Sequence, residues 1–206
     1  MNFPTPKDAW LYALHQIEEH GTNLVTEDGQ LIREILNLSL TIQNPLSGYP
    51  ISGSGWDLPA LERYAQQLLD KDNPGFDYTY GNRLRAYECI FTDPDVGSLQ
   101  TIKWDQINLI IGKLKKDRNT RRALAITWRP DRDVVADHSP CLIALDFVIR
   151  QSKLHLTAFF RSQDLKRAWP SNVYGLAKLQ EMIAQEIGIQ AGPLTTMSVS
   201  AHYYIE

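Results

Sequence analysis

Asp137-His138-Ser139-Pro140-Cys141 puts a thiol where a loop passes into an apolar strand, a place where a side chain is fixed yet reachable. A thiolate is a strong nucleophile, and cations beside it lower the pH at which it forms. Arg161-Ser162-Gln163-Asp164 ends the strand that pairs with the one beginning at Cys141. In an antiparallel hairpin the start of one strand lies beside the end of the other. Arg161 is therefore expected near Cys141, able to favour the thiolate and to fork onto a phosphate oxygen. A buried structural cysteine and an Arg161–Asp164 surface pair are the competing readings.

Other residues could bind an anion or read a base. Arg121-Arg122 opens a strand, and adjacent strand residues point to opposite faces. Both could meet one phosphate only at an irregular strand start, or one could serve a neighbouring subunit. Asn172 follows Trp169-Pro170-Ser171 at the mouth of a helix. It reads as an N-cap, or as an amide offering donor and acceptor together to a base edge. His202 and Tyr204 alternate along a closing strand, and Glu62 lies on a helix beside Arg63.

These side chains need elements to hold them. The spacing of Trp10, Ala13, Leu14 and Ile17 predicts a helix from Pro6 to His20. Leu31 to Ile42 is apolar enough for a strand or a buried helix, with alternation at its end favouring a strand. Asn44 to Pro59 is rich in Gly, Pro and Ser and reads as a loop. Its Gly53-Ser54-Gly55 lacks the surroundings of a phosphate-binding fingerprint. Pro59–Asp70 reads as a helix with Leu61, Ala65, Leu68 and Leu69 inward, Tyr78–Arg85 as irregular, and Asp105–Lys116 as an amphipathic helix. Strands are expected over Thr120–Trp128, Leu142–Ile149, Leu154–Phe160 and Ser198–Tyr203, and a long helix over Ser171–Ile187, with Gly192-Pro193 ending the segment after it. Helices and strands are mixed, with short turns between successive strands, which predicts an α+β fold. No internal repeat or domain boundary is visible, so residues 1–206 are expected to form one domain.

Composition narrows the function. The chain has 206 residues, 43% of them hydrophobic, with 21 Lys and Arg against 24 Asp and Glu. That balance excludes a general binder of nucleic acid polymers while leaving room for a local basic pocket. Two cysteines, Cys89 and Cys141, cannot build a disulfide framework. His15, His20, His138, His155 and His202 show no metal-ligand spacing, so no metal is expected. The N-terminus lacks the apolar core of a signal peptide, and the stretch Cys141–Ile149 is too short for a membrane span. A cytoplasmic protein is the expectation.

Taken in order, the motifs resemble the thymidylate synthase family, in particular its short, archaeal-type branch. The similar elements are Tyr80-Gly81-Asn82-Arg83-Leu84-Arg85, Asp105-Gln106-Ile107, Arg121-Arg122 leading to Trp128, and Pro140-Cys141. Arg161-Ser162-x-Asp164, Pro170-x-Asn172 and His202-x-Tyr204 follow. The resemblance implies a large mixed sheet packed back to back against its twofold mate in a homodimer. It implies reductive methylation of dUMP to dTMP by 5,10-methylenetetrahydrofolate, with Cys141 adding to carbon 6 of uracil. By the same resemblance Arg161 and Ser162 bind the nucleotide phosphate, joined by Arg121 and Arg122 from the partner subunit. Asn172 would hold the uracil edge, and His202 with Tyr204 the sugar 3′-hydroxyl. Asp164 and Tyr80 would serve folate positioning and proton handling, and Glu62 a proton relay to O4, on helix position alone.

There are departures. Leu142 follows the nucleophile where a histidine is common, Phe160 stands where many members carry glutamine, and Ala168 or Trp169 replaces a glycine. The chain stops at Glu206, short of the tail that closes over folate in the family. These features keep two other readings open: a pyrimidine nucleotide hydroxymethylase, in which water replaces hydride, and a non-catalytic nucleotide-binding relative.

Overall fold

The computed structural model describes residues 1–92 and 97–205. A mixed sheet forms its centre. Along its main path the strands run β1 (Asn2–Phe3), β3 (Leu31–Ile42), β9 (Gln190–Tyr204), β8 (Lys153–Asp164), β7 (Leu142–Arg150) and β6 (Ala123–Ile126), with β2 (Thr22–Val25) also paired to β3. β8 and β9 are parallel, as are β1 and β3; the remaining pairs of this sheet are antiparallel. A separate hairpin joins β4 (Tyr87–Thr92) to β5 (Leu99–Trp104).

Strand periodicity divides the sheet into two faces. Ala125, Leu145, Ala158, Thr196 and Leu40 stand side by side across five strands, and all are buried. The neighbouring row, Ile126, Ala144, Phe159, Met197 and Ser39, points the other way. There Ile126, Phe159 and Met197 are exposed. The covered face carries α6 (Trp169–Glu186), whose Trp169, Val173, Leu176, Leu179 and Ile183 join the core. α1 (Pro6–His20) packs on β3, with Trp10 donating its indole N–H to the carbonyl of Leu165 at 2.6 Å.

Most predicted helices are present because cap and stripe agree. α1 opens on a capping box between Thr5 and Asp8. α2 (Leu58–Leu69) is capped by Asp57, and α4 (Gln106–Lys116) by Asp105. Leu31–Ile42 is a strand throughout.

Three local expectations fail. Tyr78–Arg85, expected to be irregular, contains α3 (Tyr80–Arg85), capped by Thr79, with the short α5 (Pro130–Asp133) later in the chain. A Cβ on Gly81 would come within 2.3 Å of the carbonyl oxygens of Gln67 and Asp70, so only glycine lets α3 approach the end of α2. Gly192-Pro193 does not end an element but lies within β9. Pro193 is tolerated because β3 pairs with β9 only from Leu194 onward, and the β8 pairing shifts register there. Asn172 is not an N-cap. α6 begins at Trp169 with Pro170 in its first turn, so Asn172 lies inside the helix.

Candidate active site

A cavity of about 480 Å³ opens where β8, β9, α2, α3 and the start of α6 meet. Its wall includes Tyr80, Cys141, Ser162, Asp164, Asn172, His202 and Tyr204, seven of the residues expected at the site. The parallel register of β8 and β9 explains part of this convergence. Ser162 lies opposite Ser200, and Asp164 opposite His202, so two strand ends deliver their polar tips together.

Arg161 and Cys141 are neighbours, as the hairpin argument requires. The Arg161 backbone N–H donates to the Cys141 carbonyl at 2.9 Å. Its guanidinium turns back onto the loop before Cys141, donating to the carbonyl of Pro140 at 3.0 Å and to both oxygens of Ser139 at 2.9 Å. Arg161 thus ties down the Ser139-Pro140 turn. Its effect on the thiol is smaller than expected: burial pushes the Cys141 thiol up, and the Arg161 charge only partly offsets this. Burial thus favours the protonated thiol over the thiolate.

The strand after Cys141 is fixed from two sides. Tyr80 accepts the backbone N–H of Leu142 at 3.2 Å, and Thr127 donates its hydroxyl to the Leu142 carbonyl. Burial first, with the neighbouring Tyr64, Tyr78 and Cys141, raises the Tyr80 phenol well above its ordinary range, so it stays protonated. Asp164 accepts the backbone N–H groups of Lys166 and Arg167 at 2.9 and 3.0 Å and so shapes the turn into α6. His202 is 6% exposed and meets Tyr204 edge to face at 5.4 Å. Burial lowers its pKa despite the pull of Asp164, favouring the neutral ring.

Four of the expected residues lie outside this wall: Arg161, turned onto the Ser139-Pro140 segment, and Glu62, Arg121 and Arg122. Glu62 is on the exposed side of α2, where it accepts the hydroxyl of Tyr174. Tyr64, two positions along the same helix, lines the cavity instead. Residues at i and i+2 of a helix do not share a face. Arg121 and Arg122 are both exposed; Arg122 borders a separate groove with Tyr87, Trp104 and Leu124. Among the described residues the cavity's permanently cationic side chain is Arg167, which also lies over the ring of Tyr204 at 5.4 Å.

Sequence reasoning missed Arg167, Tyr64 and Gln163. Arg167 carries only a weak signal, a cation in the link between Asp164 and α6. Tyr64 falls beside the apolar stripe of its helix and reads as core. Gln163 is 2% exposed, and its partners are remote in sequence. Among the described residues no group of His, Cys, Asp and Glu could hold a metal ion.

Comparison with known proteins agrees with the geometry. The thymidylate synthase family model matches residues 51–206. A protein of Methanococcoides burtonii is 43% identical over 201 residues, covering 97% of this chain and 87% of its own. One from Methanosarcina mazei is 41% identical over 198 residues, covering 96% and 85%. A third, from Methanothermobacter marburgensis, is 37% identical over 215 residues, covering 96% and 89%. All three bear the name "Putative thymidylate synthase". The match of the family model and this similarity along nearly the whole sequence, with a cysteine, a buried amide and a His-x-Tyr strand gathered around one cavity, place the chain in the thymidylate synthase family.

Proposed function

We propose that the protein converts dUMP to dTMP, with Cys141 adding to carbon 6 of the uracil ring. The observation that carries this reading is that Cys141 shares one cavity with Asn172, Ser162, His202 and Tyr204. Addition of sulfur to carbon 6 pushes the ring's π electrons toward carbon 5 and O4, making carbon 5 the nucleophile. The Asn172 amide holds the N3–O4 edge, where that charge collects. Ser162 and Arg167 meet the phosphate, and His202 with Tyr204 the sugar hydroxyl.

Methylenetetrahydrofolate would supply the one-carbon unit and the hydride. The wall fits such a group: Trp56, Phe76 and Tyr78 offer aromatic faces to a planar pterin, and Asp164 a carboxylate to its N–H groups. Tyr80 and Asp164 are the residues placed to move protons during the transfer. Glu62, paired to Tyr174 away from the cavity, takes no part in this relay.

The enzyme works as a cytoplasmic homodimer. The exposed Ile126, Phe159 and Met197 form an apolar face on the sheet that a second copy would cover. Arg121 and Arg122 then serve the partner's phosphate site. Among the described residues no helix is long and apolar enough to cross a membrane.

The test is incubation with 5-fluoro-dUMP and methylenetetrahydrofolate, followed by mass spectrometry of the Cys141 peptide. A ternary covalent adduct is expected with the analogue, and a methylated product with dUMP. Absence of both sinks the proposal, and a hydroxymethyl product assigns the chain to the hydroxymethylases.

A further inference from the structure

We infer that Gln163, oriented by Ser198, fixes which way round the Asn172 amide faces the cavity, and so makes the site select a uracil edge over a cytosine edge. The inference rests on the nucleotide reading above and adds two positioning residues to it.

Four side chains form one chain of hydrogen bonds. Ser198 donates its hydroxyl to Gln163 Oε1 at 2.6 Å. Gln163 Nε2 donates to Asn172 Oδ1 at 3.4 Å. Asn172 Nδ2 donates to the Tyr64 hydroxyl at 2.6 Å. Every donor points the same way, from the core outward to the cavity wall. Gln163 and Asn172 reach the cavity, whereas Ser198, 3% exposed, does not line it, so its hydroxyl cannot turn to water.

The reverse polarity is the competitor, because both amides could flip together and Tyr64 could donate to Asn172 instead. The two directions differ at their ends. In the direction observed, the proton left over is that of Tyr64, whose side chain lines the cavity and can meet water or substrate there. In the reverse direction, the proton left over is that of Ser198, inside the sheet core. Among the described residues, Gln163 is the acceptor that the Ser198 hydroxyl has. An orphaned buried donor costs more than an ordinary hydrogen bond gains, so the outward direction is favoured. The 3.4 Å link is long, so Gln163 acts less by strength than by allowing an oxygen, and not an N–H, to face its own N–H groups.

The consequence follows from the two remaining sites on Asn172. With Oδ1 on the Gln163 side and Nδ2 on the Tyr64 side, the amide keeps one lone pair and one N–H in fixed positions. Uracil presents N3–H beside an O4 acceptor; cytosine presents an N3 acceptor beside an amino donor. An amide locked one way fits one of these, and an inverted amide fits the other.

The experiment measures equilibrium binding of dUMP and dCMP to the wild type, Gln163→Met and Ser198→Ala, with circular dichroism to show that each is folded. Methionine keeps the volume of glutamine and removes both polar ends. The ratio of dUMP to dCMP affinity is expected to fall by about tenfold in Gln163→Met and about threefold in Ser198→Ala, the range of one lost orienting hydrogen bond. Unchanged ratios in both variants, with the two affinities falling together, overturn the inference and make Gln163 a packing residue. Should Gln163→Met not fold, Ser198→Ala decides alone. A wild type that binds neither nucleotide refutes the nucleotide reading instead.

Discussion

Asp133→Ala should destabilise the protein more than any surface charge would. Arg83 on α3 grips both oxygens of Asp133, at 2.7 and 3.0 Å, with side chains only 11% and 2% exposed. The same carboxylate accepts the Arg129 backbone N–H at 2.6 Å, and Arg83 also reaches the Thr127 carbonyl at 3.3 Å. Truncation leaves a guanidinium and a backbone donor without their acceptor. Removing one partner of a buried pair costs about 3–5 kcal/mol. The slight exposure of Arg83 puts the expected loss near the lower end, at about 3 kcal/mol. Urea unfolding of wild type, Asp133→Ala and the double variant Arg83→Met/Asp133→Leu measures it. The double variant should recover at least half of the loss, because no buried charge is left behind. A loss below about 1 kcal/mol for Asp133→Ala, the level of an exposed pair, would refute the claim that this ion pair is shielded from water.

Alkylation of Cys141 by iodoacetamide should follow a pH profile displaced upward from that of an ordinary thiol, since burial favours the neutral form. Arg161→Met, which removes the offsetting charge, should displace it further. The linked effect on stability has the same sign: a thiol raised on folding favours the native state below its unfolded pKa, and that contribution is lost as pH rises through the folded value. Gln180→Leu should cost about 2–3 kcal/mol in urea unfolding, because the amide nitrogen serves the carbonyls of Leu154, Gly192 and Pro193 in the core. If Arg122 completes the partner's site, mixing inactive Arg122→Ala with inactive Cys141→Ala should restore part of the activity through hybrid dimers. No recovery would place the arginine's role within its own subunit.

What the sequence made legible was local or periodic. The stripes of α1, α2 and α4 and the acidic or hydroxyl caps before them are short-range signals, and all three helices form. Adjacency of Cys141 and Arg161 followed from one hairpin, and a 2.9 Å backbone hydrogen bond joins them. α3 escaped because a helix of six residues is too short to display a period. The start of α6 escaped because its cap, Ala168, has no polar side chain to announce it. The Asn172 amide was legible as a polar group near a helix start, but its partners were not. Tyr64, Gln163 and Ser198 come from a helix and two strands, and no spacing rule links them. Glu62 was misplaced for a related reason: helix position alone does not say which side faces a cavity that other elements build.

The place of β9 bears on how the molecule is made. Among the described residues it is the last strand in chain order, yet it lies between β3 and β8 in the middle of the sheet. Until the ribosome releases this segment, β3 and β8 present raw edges to each other and to other nascent chains. The sheet cannot assemble progressively from the amino end; it closes late, by threading one strand into a gap left open by translation. Pairings of such long sequence separation are slow to form. Until β9 is in place, those two open edges expose the unfinished chain to misassociation with its neighbours.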